Sequence, residues 1–163
     1  MVFEHLRDHG RFRAEFQERT GVAFDWGLFT SERWPIDLVG ANSVEGLARC
    51  FAPWYAPAPG RLGWRPLRIT EVPHHLEADH TPRDRSRGIR EYVGRFREEG
   101  VRPFALPAYA LPGGEFLILD GNHRLSALAM AGVAFAVTLA VVVGPLRQEC
   151  LPDLVHWQAD GGT

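Results

Sequence analysis

The sequence predicts an α+β domain, a compact mixed sheet with helices packed on it. Three observations predict this class. Short apolar or β-branched runs recur at 65–72, 101–109, 115–119 and 138–143, each of strand length. Two helix-favouring segments, 82–99 and 122–131, lie between them. The chain has 163 residues, 45% hydrophobic and 23% charged, which is enough to fill one core and too apolar for disorder.

In chain order, Phe3, Leu6, Phe12 and Phe16 suit one face of an amphipathic helix over 3–19, weakened by Gly10. Residues 21–63 read as irregular and aromatic, with FDWGLF, RWPIDL and ARCFAPWYAPAPG and one short helix within 43–51 opened by Ser43. Prolines 53, 57 and 59 read as a tether. The expected organisation is therefore an aromatic- and proline-rich N-terminal extension, 1–60, packed on a main domain, 61–163.

RPLRITEV, 65–72, predicts the first strand, and PHHLEADH after it predicts a surface loop. Thr81 is a suitable cap for the next helix, with Pro82 at its first position and Asp84 three after the cap. Ile89, Tyr92, Val93 and Phe96 recur at helical spacing until Gly100. VRPFALPAY is a strand that its prolines should confine to an edge or a start. LPGG at 111–114 is a turn into EFLIL, making a hairpin. A helix from about Asn122 to Ala131 and the strand TLAVVV complete the order.

Residues 125–146 carry no charge and are long enough to span a bilayer. Their composition changes at Gly132, from Ala/Leu/Met-rich to β-branched, which predicts helix, stop and strand and not a membrane span. The N-terminal residues lack the apolar stretch of a secretory signal. Cys50 and Cys150 form no CxxC pair, and buried thiols in a reducing cytoplasm are the expectation.

A net charge of -2 and a pI of about 6.4 argue against a general nucleic-acid coat protein but leave room for a local basic patch. All 18 basic residues are arginine, as fits a GC-rich bacterial genome. Lysine is thereby excluded as phosphate clamp, Schiff-base amine or general base.

Chemistry concentrates where EFLIL meets the following helix, in the stretch DGNHR. Asp120 is delivered to the rim of the sheet, and Gly121 permits a tight turn and close approach of a ligand. The first turn of the helix has unpaired amides that suit an anion, and His123 and Arg124 add side-chain donors. These residues read as an anion pocket. A plainer arrangement is also open: Asp120 capping the helix, Arg124 pairing with it on the surface, and His123 idle. His74, His75, Asp79 and His80 form another cluster, but their spacing fits no zinc motif. Arg83, Arg85, Arg87 and Arg90 beside it read as a solvated helix face.

DGNHRLSALAMAG resembles the signature of the ParB/sulfiredoxin-like superfamily, in which a strand leads to a glycine and an arginine at a phosphate-binding helix. The likeness spans 65–143, with RPLRITEVP as the opening strand and VRPFALPAYALPGGEFLILDG as the paired strands. It implies a ParB/sulfiredoxin-like fold and three functional directions. Partition proteins bind CTP through the arginine-bearing motif but add a helical DNA-binding domain, for which no helix-turn-helix is evident. Sulfiredoxins use a cysteine in the motif; Asn122 stands at that position. Free-serine kinases bind nucleotide there and use an acidic residue near the first strand, matched most closely by Glu71.

The combined expectation is a nucleotide-dependent phosphotransferase acting on a small hydroxyl-bearing metabolite. ATP, ADP or CTP would be the nucleotide, held by Gly121, Asn122, His123 and Arg124, with Mg2+ on Asp120. Glu71, Asp120 and His123 are the catalytic candidates, with Glu71 as acceptor of the hydroxyl proton. The alternative is a non-catalytic nucleotide-binding switch or protein/DNA-interaction module. A DNA-nicking role is weakened by the modest charge and the lack of a secure metal–carboxylate cluster.

Overall fold

The runs FLIL and LAVV have no polar alternation, which a strand tolerates when both its faces are covered. The structure, a computed structural model, describes residues 2–57, 64–77, 83–147 and 149–151, and it supplies both covers. The strands are β1 Ile36–Gly40, β2 Cys50–Pro57, β3 Trp64–Arg68, β4 Phe104–Leu111, β5 Glu115–Ile118 and β6 Val137–Val142. They form one sheet in the order β1-β6-β4-β5-β2-β3. β6 runs parallel to β4 and β2 parallel to β5, while the other neighbours are antiparallel.

The helices are α1 His9–Phe16, α2 Trp26–Glu32, α3 Val44–Leu47, α4 Val72–Glu77, α5 Arg83–Glu99 and α6 Asn122–Ala131. On one face, Leu47, Leu76, Ile89, Val93, Leu125 and Leu128 pack with Leu106, Ile118, Leu139 and Val141 of the sheet. On the other, Phe12, Phe16 and Phe29 pack with Tyr109, Leu117, Ala140 and Val142. Adjacent residues of β5 and β6 thus enter opposite cores, the period-two alternation of a strand. The chain is a mixed α/β protein, with a six-stranded sheet between helical layers among the described residues.

The uncharged stretch divides as its composition predicts, into α6, a left-handed Gly132 at φ 68°, and β6. No helix among the described residues is long and apolar enough to cross a membrane. The hairpin at LPGG forms, with Pro112–Gly114 in a 3-10 turn between β4 and β5. Cys50 and Cys150 are both buried and free, and burial pushes the Cys50 thiol up to about 12.

Several elements depart from expectation. Residues 3–19 do not form one helix: a 3-10 segment, Glu4–Arg7, stops at Asp8, whose carboxylate accepts from the Arg11 amide and starts α1. The extension is more than a cover. It contributes edge strand β1, paired with β6, and inner strand β2, paired with β5 and β3. Pro53 lies at the register shift between Ala52 and Tyr55, so the expected tether is an irregular strand as far as Pro57, while Pro59 lies outside the described residues. Ser43 does open the short helix α3, its Oγ accepting from the Gly46 amide at 3.2 Å.

The first predicted strand ends at Arg68, followed by a 3-10 turn, Ile69–Glu71, and by α4 where a loop was expected. Thr81 and Pro82, the expected cap, lie outside the described residues. β4 is central, not an edge. Pro107 is accommodated because it lies past the last β4–β5 pair, Ala108 with Ile118, and contributes only its carbonyl, to the Leu119 amide at 3.0 Å.

Phe12 is fully buried and in ring contact with Phe16, Trp26 and Phe29. Phe12→Ala should lower stability by about 3–5 kcal/mol. Because β1 and β2 belong to the same sheet, denaturant unfolding of the variant should remain one transition. A separate early transition would mean that the N-terminal segment folds by itself.

Candidate functional site

The Leu119 amide donates to Pro107 O, so the chain leaves the sheet at residue 120 with its backbone already fixed. It must turn at once, and Gly121 does so at φ 90° and ψ 18°. A Cβ at this position would run into the side chain of Leu106, which is itself fully buried. Close packing and left-handed geometry together require glycine here. Gly121 is the N-cap of α6, and no side chain caps the helix. A glycine N-cap offers the amides of the first turn no side-chain acceptor of its own.

This first turn lines a cavity of about 660 Å³, together with Arg19, Arg85, Asp120 and Tyr92. Gly121, Asn122, His123 and Arg124 all contribute to its wall. Asp120 Oδ2 accepts from Arg19 Nη2 at 3.2 Å and from Arg124 Nη2 at 3.3 Å. The Asp120–Arg124 pair of the plainer arrangement thus exists, but it faces the cavity, with both side chains only 22% exposed. Asp120 does not cap the helix.

Three guanidinium groups against one carboxylate give the described lining an excess of positive charge. Burial depresses the Arg124 pKa from its ordinary value even though Asp120 acts in the opposite sense. An added anion would relieve that cost. Arg124 also lies 5.2 Å over the Phe104 ring, which fixes the direction of its planar fork.

His123 is partly buried, and its Nδ1 lies where a Cβ on Gly88 of α5 would approach within 3.2 Å. Burial first, and Arg85 second, hold its pKa below 6.5. The imidazole is therefore neutral at neutral pH, able to accept a proton at one nitrogen and donate from the other. Asn122 Oδ1 is buried, and no described residue donates to it; the same is true of Ser126 Oγ one turn later.

Five of the six predicted site residues thus meet in one cavity: Asp120, Gly121, Asn122, His123 and Arg124. Glu71 is not among the residues lining it. Its Oε2 instead accepts from the Arg68 amide at 2.8 Å and caps the 3-10 turn after β3. His74 and His75 lie on α4, whereas Asp79 and His80 fall outside the described residues. Of the arginine run, Arg85 turns into the main cavity; Arg83, Arg87 and Arg90 line a separate hollow on α5.

The residues do not fit a protein-held magnesium ion. Among the described residues no group of three or more His, Cys, Asp or Glu side chains is placed to hold a metal. Among the described residues Asp120 is the one carboxylate lining the cavity, and two arginines already engage it. Sequence reasoning missed Arg19, which follows α1 and pairs with Glu15 at 3.0 Å. An i,i+4 pair signals a helix face and nothing about a site a hundred residues away.

The chain matches no protein-family model, no curated protein and no solved structure.

The depressed His123 pKa carries a stability consequence. Below 6.5 the unfolded chain takes up a proton on this residue more readily than the folded chain does. The contribution is present above the unfolded value and is lost as pH falls through the window beneath it. Wild-type protein should lose stability relative to His123→Gln as pH drops from neutral through that window. A relative gain would mean that the folded protein prefers the charged imidazole.

Proposed function

We propose that the cavity receives the phosphates of a nucleotide and that the protein is a nucleotide-dependent phosphotransferase acting on a small hydroxyl-bearing metabolite. One observation carries the reading: three arginines and an uncapped helix start converge on a single cavity of about 660 Å³. That volume lies within the range of small-molecule sites, roughly 300–1,000 Å³. The resemblance of DGNHR to the ParB/sulfiredoxin-like motif supports the same ligand, with Asn122 where a sulfiredoxin has its cysteine.

In this scheme Gly121 lets the ligand approach the backbone, and the amides of the first turn and Arg124 hold phosphate oxygens. Arg19 and Arg85 counter the charge spread over the group in transfer. The acceptor oxygen bonds to the terminal phosphorus as the bond to the leaving nucleotide breaks, and the nucleotide departs with that electron pair. His123, neutral and in the wall, accepts the hydroxyl proton. Asp120 orients the two arginines. Glu71 has no part in this scheme, since its carboxylate is engaged as a cap. Magnesium would enter with the nucleotide and offset the charge of its phosphates.

A second reading has its own observation. Asp120 ties Arg19 of the N-terminal segment to Arg124 of α6. An incoming anion competes with Asp120 for both, which suits a nucleotide-responsive switch without turnover. The two readings separate by product. ATP, ADP or CTP with magnesium and a panel of alcohols and amino acids should yield a phosphorylated acceptor. Binding without product across that panel would favour the switch.

Arg124→Ala should weaken ADP binding by about 10–100-fold, the worth of a lost charge-assisted contact, while the fold persists by circular dichroism. Unchanged affinity in a folded variant would remove Arg124 from the site.

A further inference from the structure

Behind the arginine pair lies a second hollow of about 310 Å³, and it shares Arg19 and Arg124 with the main cavity. Phe3, Leu6 and Phe16 of the N-terminal segment form one side of it, and Pro103, Phe104 and Ala105 form the other. The Arg19 guanidinium lies 5.7 Å from the Phe16 ring centroid, and that of Arg124 lies 5.2 Å from that of Phe104. Each arginine therefore touches a ring of the recess and also the Asp120 carboxylate in the main cavity. Glu15 is in the recess wall too, but Arg19 engages its Oε1 at 3.0 Å. The arginine pair is a partition, polar on one side and aromatic on the other.

We infer that this recess receives the apolar, ring-bearing body of the acceptor, whose hydroxyl meets the phosphoryl group at the arginine partition. The acceptor class is an aromatic or alicyclic alcohol. The inference rests on the phosphotransferase reading of the main cavity. His5 also lines the recess, but a sugar would still set several hydroxyls against Phe3, Leu6, Phe16 and Phe104, at a cost for each one left unpaired. A free amino acid would bring its ammonium group towards two guanidiniums. A single apolar ring with a short hydroxyl-bearing chain meets neither penalty and suits the size of the recess. The nucleotide base is better served by the main cavity, where Val22, Pro53 and Tyr92 supply apolar surface. The N-terminal segment then has a catalytic task. It closes the acceptor site and delivers Arg19 to the transferred phosphoryl group.

The test compares methyl phosphate, benzyl phosphate and ADP by calorimetry on the full chain. Methyl and benzyl phosphate share one head group and differ by a ring. Benzyl phosphate should bind about tenfold or more tighter than methyl phosphate, from burial of that ring. Ala105→Leu, which fills the recess, should abolish the advantage and leave methyl phosphate and ADP affinities unchanged. Phe3→Ala, at a half-buried position in the wall, should reduce the advantage several-fold and serves should Ala105→Leu not fold. Equal binding of the two esters by the wild-type chain, with ADP bound, overturns the acceptor site and leaves the nucleotide cavity standing. Loss of ADP affinity in a folded Ala105→Leu protein would put the base in the recess and overturn the inference. No binding of ADP or either ester would overturn the phosphotransferase reading and this inference with it.

Discussion

The site depends on one close contact, between the backbone of Gly121 and the buried side chain of Leu106. β5 is covered on both faces, so the chain cannot drift out of the sheet. It has to turn within two residues and present α6 to the same core that holds Leu106. Only a residue without Cβ fits that approach with positive φ. The turn leaves α6 starting at the rim of the sheet, its first turn open to a cavity and its second buried. Leu125, Ala127 and Leu128 anchor the helix so firmly that the direction of its N-terminus is a property of the core. Any side chain at 121 would push α6 off Leu106 and disturb packing and site together.

Electrostatics then builds on that geometry. Arg124, at the third position of α6, is aimed by Phe104 and by Asp120, and Asp120 also draws in Arg19. One carboxylate between two guanidiniums holds a charged group from each side of the sheet at one point. The aromatic cluster of the N-terminal segment, with Phe29 in ring contact with both Phe12 and Phe24, keeps Arg19 within reach. Packing on one face of the sheet thus supports charge placement at its rim, and an anion is the natural complement of what remains unneutralised.

Local signals made the second half of the chain legible. LPGG, DGNHR and Gly132 each mark a turn or a helix end within a few residues, and the structure has its boundaries there. The first half was opaque for physical reasons. β1 is the short IDLVG, whose partner β6 lies about a hundred residues later. β2 carries Pro53 and Pro57 and pairs in parallel with β5, so its role is set by long-range contacts that no window of sequence contains. Pro107 misled in the same way: a proline beyond the end of a pairing can sit in a central strand. At the site, the five adjacent residues 120–124 came from one motif. Arg19 carried no signal, because only folding brings it there. Glu71, matched to a family position, is engaged by the Arg68 amide three residues before it.

The proposed anion site lies at the first turn of α6 between Arg19 and Arg124. Titration of the uniformly labelled protein with inorganic pyrophosphate, followed in amide and arginine-Nε resonances, tests it most directly. Saturable shifts should be largest at residues 121–124 and at the Nε of Arg19 and Arg124. Shifts that stay within noise at those positions, or that centre on the exposed arginines of α5, would contradict it.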